Sequence, residues 1–175
     1  MPVPLPVIES AGPKPDLRFM RAHPLRWIAL GFGAGLAPVA PGTFGTLFGW
    51  LSFMLIDRWI SDQGWAVLIA LAWAVGIWSA SHVIRALRLH DHQAIVWDEI
   101  AAIWTVMWVA APMAEDLGTQ FALFLLFRLF DVIKPPPIGW LDRHVKGGLG
   151  VMIDDAAAAV LTLFVFALWQ QAMLL

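Results

Sequence analysis

Between Phe127 and Ala159 the chain reads FRLFDVIKPPPIGWLDRHVKGGLGVMIDDAAAA, and apolar sequence flanks this stretch on both sides. It holds Arg128, Asp131, Lys134, Asp142, Arg143, Lys146, Asp154 and Asp155. Charge at membrane depth is costly, and where it occurs it is a functional-site hypothesis by default. Arg128 and Asp131 are three residues apart, as are Asp131 and Lys134, so one helix face carries Arg, Asp and Lys on successive turns. Two cations beside a carboxylate suit a phosphate group, which Arg grips bidentately and Lys attracts as a point charge. The bland alternative is an intrahelical charge ladder that makes each group tolerable in lipid.

Carboxylates recur on other segments. Asp98 and Glu99 open one apolar run, Asp131 nears the end of another, and Asp154 and Asp155 lie about a turn into the last. Five acids at one depth repel one another unless a cation neutralises them or several are protonated. They are hard oxygen ligands with no Cys and no convincing His pattern beside them, which favours Mg²⁺, with Mn²⁺ as substitute, over Zn²⁺. The competing reading pairs the acids with Arg and Lys as structural glue. His90-x-His92 reads as a solvated loop, and Glu115/Asp116 as a solvated turn.

A third element is the glycine- and proline-rich stretch GFGAGLAPVAPGTFGTL, residues 31–47. No strand precedes it and no GK[ST] follows, so it is not a nucleotide loop. Gly42 and Thr43 stand directly before an apolar run, where backbone N–H groups and a hydroxyl form an anion cradle. The simpler reading is a kink with Thr43 as N-cap.

The elements that must position these groups read as membrane helices. Of 175 residues 60% are hydrophobic and 14% charged, with mean hydropathy +0.74, against about 45–50% and about 25% in soluble domains. Eleven Trp and no Tyr fit an interfacial belt. The absence of Cys excludes thiolate catalysis and thiolate metal sites. A net charge of −2 offers no footprint for nucleic acid. Residues 1–26 read as a disordered, Pro-rich, basic tail, and 27–175 as a single transmembrane catalytic domain. Its apolar runs are 44–60, 64–84, 100–112, 119–133 and 149–173. The expected fold is an all-α polytopic bundle of about five transmembrane helices, with four spans or a re-entrant 28–60 segment as alternatives. If the basic tail is placed inside, the Gly/Pro segment, Asp98/Glu99, Arg128/Asp131, Lys134 and Asp154/Asp155 all fall at the cytoplasmic edge.

Three blocks then carry a resemblance: GLAPVAPGTFGTL (35–47), IVWDEI (95–100) and the long 127–159 stretch. Over about residues 28–170 the chain resembles the phosphatidylglycerophosphatase A family of bacterial inner-membrane lipid phosphatases. The resemblance implies Mg²⁺-dependent hydrolysis of phosphatidylglycerophosphate to phosphatidylglycerol and phosphate, in the cytoplasmic membrane with the site facing the cytoplasm. Asp98, Glu99, Arg128, Asp131, Lys134, Asp142, Asp154 and Asp155 match the family's polar positions. The expected roles are catalysis by Asp98, Glu99, Asp131, Asp154 and Asp155, with metal ligands drawn from Glu99, Asp131, Asp154 and Asp155. Gly42, Thr43, Arg128, Lys134 and Asp142 are expected at the substrate. His92 stands where the family commonly has Pro, and Ala102 where it has Gly.

Other classes fit less well. A carboxylate-based cation or proton transporter predicts charges spread through the membrane depth. Another Mg²⁺-dependent headgroup enzyme, the CDP-alcohol phosphatidyltransferase, needs a DGxxAR motif that is absent. Histidine-based membrane phosphatases need KxxxxxxRP and PSGH blocks, also absent.

Overall fold

The computed structural model describes residues 14–88 and 92–173, and all regular structure among them is helical. Two short helices, α1 (Leu17–Arg21) and α2 (Pro24–Ala29), lead through a 3-10 segment at Gly31–Leu36 into α3 (Pro41–Ile56). There follow α4 (Asp62–Leu87), α5 (Trp97–Ala110), α6 (Leu117–Ile133), α7 (Ile138–His144) and α8 (Gly147–Met173).

The centre of the bundle is α5. It is apolar on every side, the pattern of a helix enclosed by protein, and only Thr105, Trp108 and Val109 escape full burial. It packs against α3, α4, α6 and α8. The contact with α3 is close because α3 presents Gly45 and Gly49: a Cβ at either would strike Val96 or Ile103. That approach lets Trp104 donate its indole N–H to the Gly49 carbonyl at 2.9 Å and to Ser52 at 3.0 Å. On the other side, α8 meets α4 where Gly148 lies against the Ile77 carbonyl and Gly76 receives the Met152 side chain.

Five helices thus stand where five spans are expected, but among the described residues only two are long and apolar enough to cross a membrane. These are α4 with 26 residues and α8 with 27, of mean hydropathy 1.9 and 2.1. The others have 16, 14 and 17 residues, or roughly 21–26 Å at 1.5 Å per residue, against about 30 Å of hydrocarbon. The expected third span is the enclosed core helix α5. The outer faces carry large apolar side chains, among them Phe44, Leu51, Leu71, Leu125 and Phe164.

The tail needs correcting within the described residues. Asp16 caps α1, its carboxylate accepting from the Phe19 N–H at 2.7 Å, and His23 caps α2, its Nδ1 accepting from the Leu25 N–H at 3.2 Å. Met20 and Leu25 are buried. Pro24 opens a helix, since its missing N–H is one the first turn leaves unbonded. Residues 1–13, and His90 of the histidine pair, lie outside the described residues.

Candidate active site

The first turns of α3 and α5, the last turn of α6 and the second turn of α8 meet at one end of the bundle. Each arrives there for a local reason. Ala40 takes a left-handed conformation (φ 47°) and Pro41 fills the first helical position, so α3 begins at Pro41. The N–H of Val96 donates to the Ala29 carbonyl at 2.9 Å and fixes the entry to α5. Pro135, Pro136 and Pro137 follow Lys134, which closes α6 in a left-handed conformation (φ 48°). Gly147 starts α8 at φ 75°.

Two groups of charges result. In the first, Asp98 and Glu99 of α5 meet Asp155 of α8. All three are buried, and each can offer an oxygen within 4.8 Å of the others. Asp131 lies beside Glu99 and Asp155. The Arg128 Nη1 donates to Asp131 Oδ2 at 2.5 Å and stands 3.6 Å from Glu99 Oε1. One guanidinium, in contact with Asp131 and Glu99, is thus set against a group of four carboxylates. Asp98 Oδ1, Glu99 Oε2 and Asp155 Oδ2 are buried without a hydrogen-bond partner. Buried carboxylates normally have partners, and each orphan carries a desolvation cost.

In the second group, Lys134 Nζ donates to Asp154 Oδ2 at 2.5 Å and to Asp142 Oδ1 at 2.6 Å. Burial works against the charge on Lys134, but the two carboxylates outweigh it and hold the ammonium above the ordinary lysine value. Asp142 belongs to α7, whose Gly139 passes so close to the Lys134 carbonyl that a Cβ would collide with it.

The acids are therefore divided differently from the expected ligand set. Asp98, expected as a catalytic acid only, joins Glu99 and Asp155; Asp131 turns to Arg128, and Asp154 to Lys134. Gly42 lies against these side chains: a Cβ there would strike Glu99 Oε1 and crowd the Arg128 guanidinium. Thr43 is not the N-cap of α3, because that position is Ala40. The threonine that touches Arg128 is Thr46, fully buried, at 3.3 Å from Nη1. Sequence reasoning passed over it. Its signal was the stripe Gly42, Gly45, Thr46, Gly49, spaced to share one helix face.

The donor set fits a hard divalent cation. It is all carboxylate oxygen, three of its oxygens lack partners, and its negative charge exceeds what Arg128 balances.

A family model described as "Phosphatidylglycerophosphatase A" matches residues 27–170. The chain belongs to the phosphatidylglycerophosphatase A family. It is 36% identical over 145 residues to the Escherichia coli K12 protein named "Phosphatidylglycerophosphatase A", covering 83% of each chain. It is 35% identical over 143 residues to the Haemophilus influenzae protein of the same name, covering 82% of this chain and 86% of the relative. No solved structure matches. Membership makes the chain an enzyme, a phosphatase, and all eight charged positions discussed above lie within the matched segment.

Proposed function

We propose that this chain hydrolyses the terminal phosphomonoester of phosphatidylglycerophosphate, releasing phosphatidylglycerol and phosphate, with Mg²⁺ bound by Asp98, Glu99 and Asp155. The observation that carries the reading is the trio of buried carboxylates, each with one oxygen lacking a hydrogen-bond partner, near the Arg128 guanidinium, in a chain of this family. When bound, the cation would neutralise the acids and polarise the phosphate. Arg128 would hold the phosphate oxygens. Lys134, anchored by Asp154 and Asp142, adds a second positive charge at the rim. Gly42 leaves open the space that a side chain would take between Glu99 and Arg128. A carboxylate of this group accepts the proton of the attacking water. The P–O bond to glycerol breaks, and the leaving alkoxide takes its proton from the carboxyl group that accepted one from the water.

We also propose a multi-pass protein of the bacterial cytoplasmic membrane with this end facing the cytoplasm. Arg85, Arg88, Lys134, Arg143 and Lys146 lie at or near the site end, as the positive-inside rule asks. The apolar outer faces of α3, α4, α6 and α8 support burial in lipid.

Phosphate release from phosphatidylglycerophosphate and from phosphatidic acid, each with Mg²⁺ or with EDTA, tests the reaction. Mg²⁺-dependent release from the first lipid well above the second is expected. No release, or release indifferent to EDTA, contradicts the proposal. A phospho-aspartate trapped by acid quench would replace direct attack by water with a covalent route.

A further inference from the structure

We infer that Thr46 is a positioning residue that sets the orientation of the Arg128 guanidinium for anion binding. The inference rests on the reading of Arg128 as a phosphate-holding group. Thr46 lies at the second turn of α3 and is completely buried. A hydroxyl has one proton to donate and two lone pairs to accept with. Here the proton goes to the Gly42 carbonyl at 2.9 Å, one turn back along the helix. That bond fixes the hydroxyl rotor and leaves the lone pairs to accept from Arg128 Nη1, at 3.3 Å.

The rest of the guanidinium's surroundings explain why a neutral acceptor stands there. Arg128 Nη1 already faces Asp131 and Glu99. A third carboxylate would cancel the charge that a phosphate must find. With no acceptor on the α3 side, the guanidinium would be drawn wholly toward the acids. Thr46 supplies direction without neutralisation. Gly42 completes the fence on the same helix, its Cα lying so close that an added Cβ would sit 3.2 Å from Nη2 and 3.3 Å from Nη1. The guanidinium is thus held by α3, α5 and α6 together, and α3 contributes only through groups that carry no charge.

The test measures inorganic phosphate affinity, by thermal protection of the detergent-solubilised full chain in Mg²⁺, together with kcat and KM on phosphatidylglycerophosphate. Wild type is compared with Thr46→Val, Thr46→Ala and Thr46→Ser. Loss of the hydroxyl in Val or Ala is expected to weaken phosphate binding about ten-fold and to raise KM more than it lowers kcat, while Ser stays within about two-fold of wild type. Ala carries the same expectation should Val not be recovered folded. In an Arg128→Lys background, Thr46→Val is expected to add no further loss. Unchanged phosphate affinity in Val and Ala, failure of Ser to rescue, or an undiminished ten-fold loss in the Arg128→Lys background each overturns the inference. If wild type binds phosphate and the variants rank as expected but phosphatidylglycerophosphate is not hydrolysed, the role of Thr46 stands and the substrate assignment falls.

Discussion

The two charged groups at the site end hold neighbouring residues of one helix, Asp154 and Asp155, in opposite electrostatic conditions. Asp155 sits among acids whose guanidinium reaches Asp131 and Glu99. Asp154 meets an ammonium at 2.5 Å, and that ammonium is clasped again by Asp142. The first group is short of positive charge and will gain from a bound cation. In the second, one lysine pairs directly with both carboxylates, so less negative charge is left over. Adjacent carboxylates therefore do different work, one toward the cation and one toward the placement of Lys134.

That contrast is open to breakage. The largest effect is expected from Asp155→Asn and Glu99→Gln, which should lower kcat on the order of 10²–10³-fold or more. In EDTA the same Asp155→Asn change should leave the melting temperature unchanged or raise it, because it removes like-charge repulsion in a cluster without a counter-ion. Next comes Gly42→Ala: its Cβ would displace Glu99 or Arg128, and a misplacement of that size is expected to cost about a hundred-fold in turnover. Lys134→Ala and Asp154→Asn should cost less, about ten- to a hundred-fold. Unlike Asp155→Asn, they should lower the melting temperature, through the loss of about 2 kcal/mol of charged hydrogen bonding. Opposite signs at residues 154 and 155 in a thermal melt would establish the division; equal signs would dissolve it. Asp142→Asn is expected to cost only a few-fold, since its side chain is 39% exposed and Lys134 keeps Asp154. The orientation is sharpened most gently. The chain has no Cys, so a single cysteine at Lys146 should react with an impermeant thiol reagent only from the cytoplasmic side.

Much of the framework was legible because apolar runs end at Pro, Gly or charge. The run expected from Thr119 to Ile133 is α6, Leu117–Ile133, and the one expected from Leu149 is α8, which begins at Gly147. That the acids share one end was legible too, from simple alternation of direction along the chain. Their division was not. Asp154 and Asp155 have the same depth in sequence but point about 100° apart around α8, and only the rotation of that helix decides which faces Lys134. The cap of α3 was misread for a similar reason. With α3 expected to begin after Thr43, that residue was its cap; with the start at Pro41, the face toward Arg128 belongs to Gly42 and Thr46. The central helix was ambiguous in principle, because a run apolar on all sides suits lipid and protein alike, and only its 14-residue length and its neighbours identify α5 as core. The caps at Asp16 and His23 were hidden in a stretch whose composition reads as tail.

The most direct measurement is divalent-cation binding itself, followed by Mn²⁺ electron paramagnetic resonance with Mg²⁺ competition in the detergent-solubilised full chain. Wild type and Asp154→Asn should bind Mn²⁺ and release it to Mg²⁺, while Asp155→Asn and Glu99→Gln should bind at least about ten-fold more weakly. Loss of binding in Asp154→Asn equal to that in Asp155→Asn, or undiminished binding in Asp155→Asn, would contradict the account.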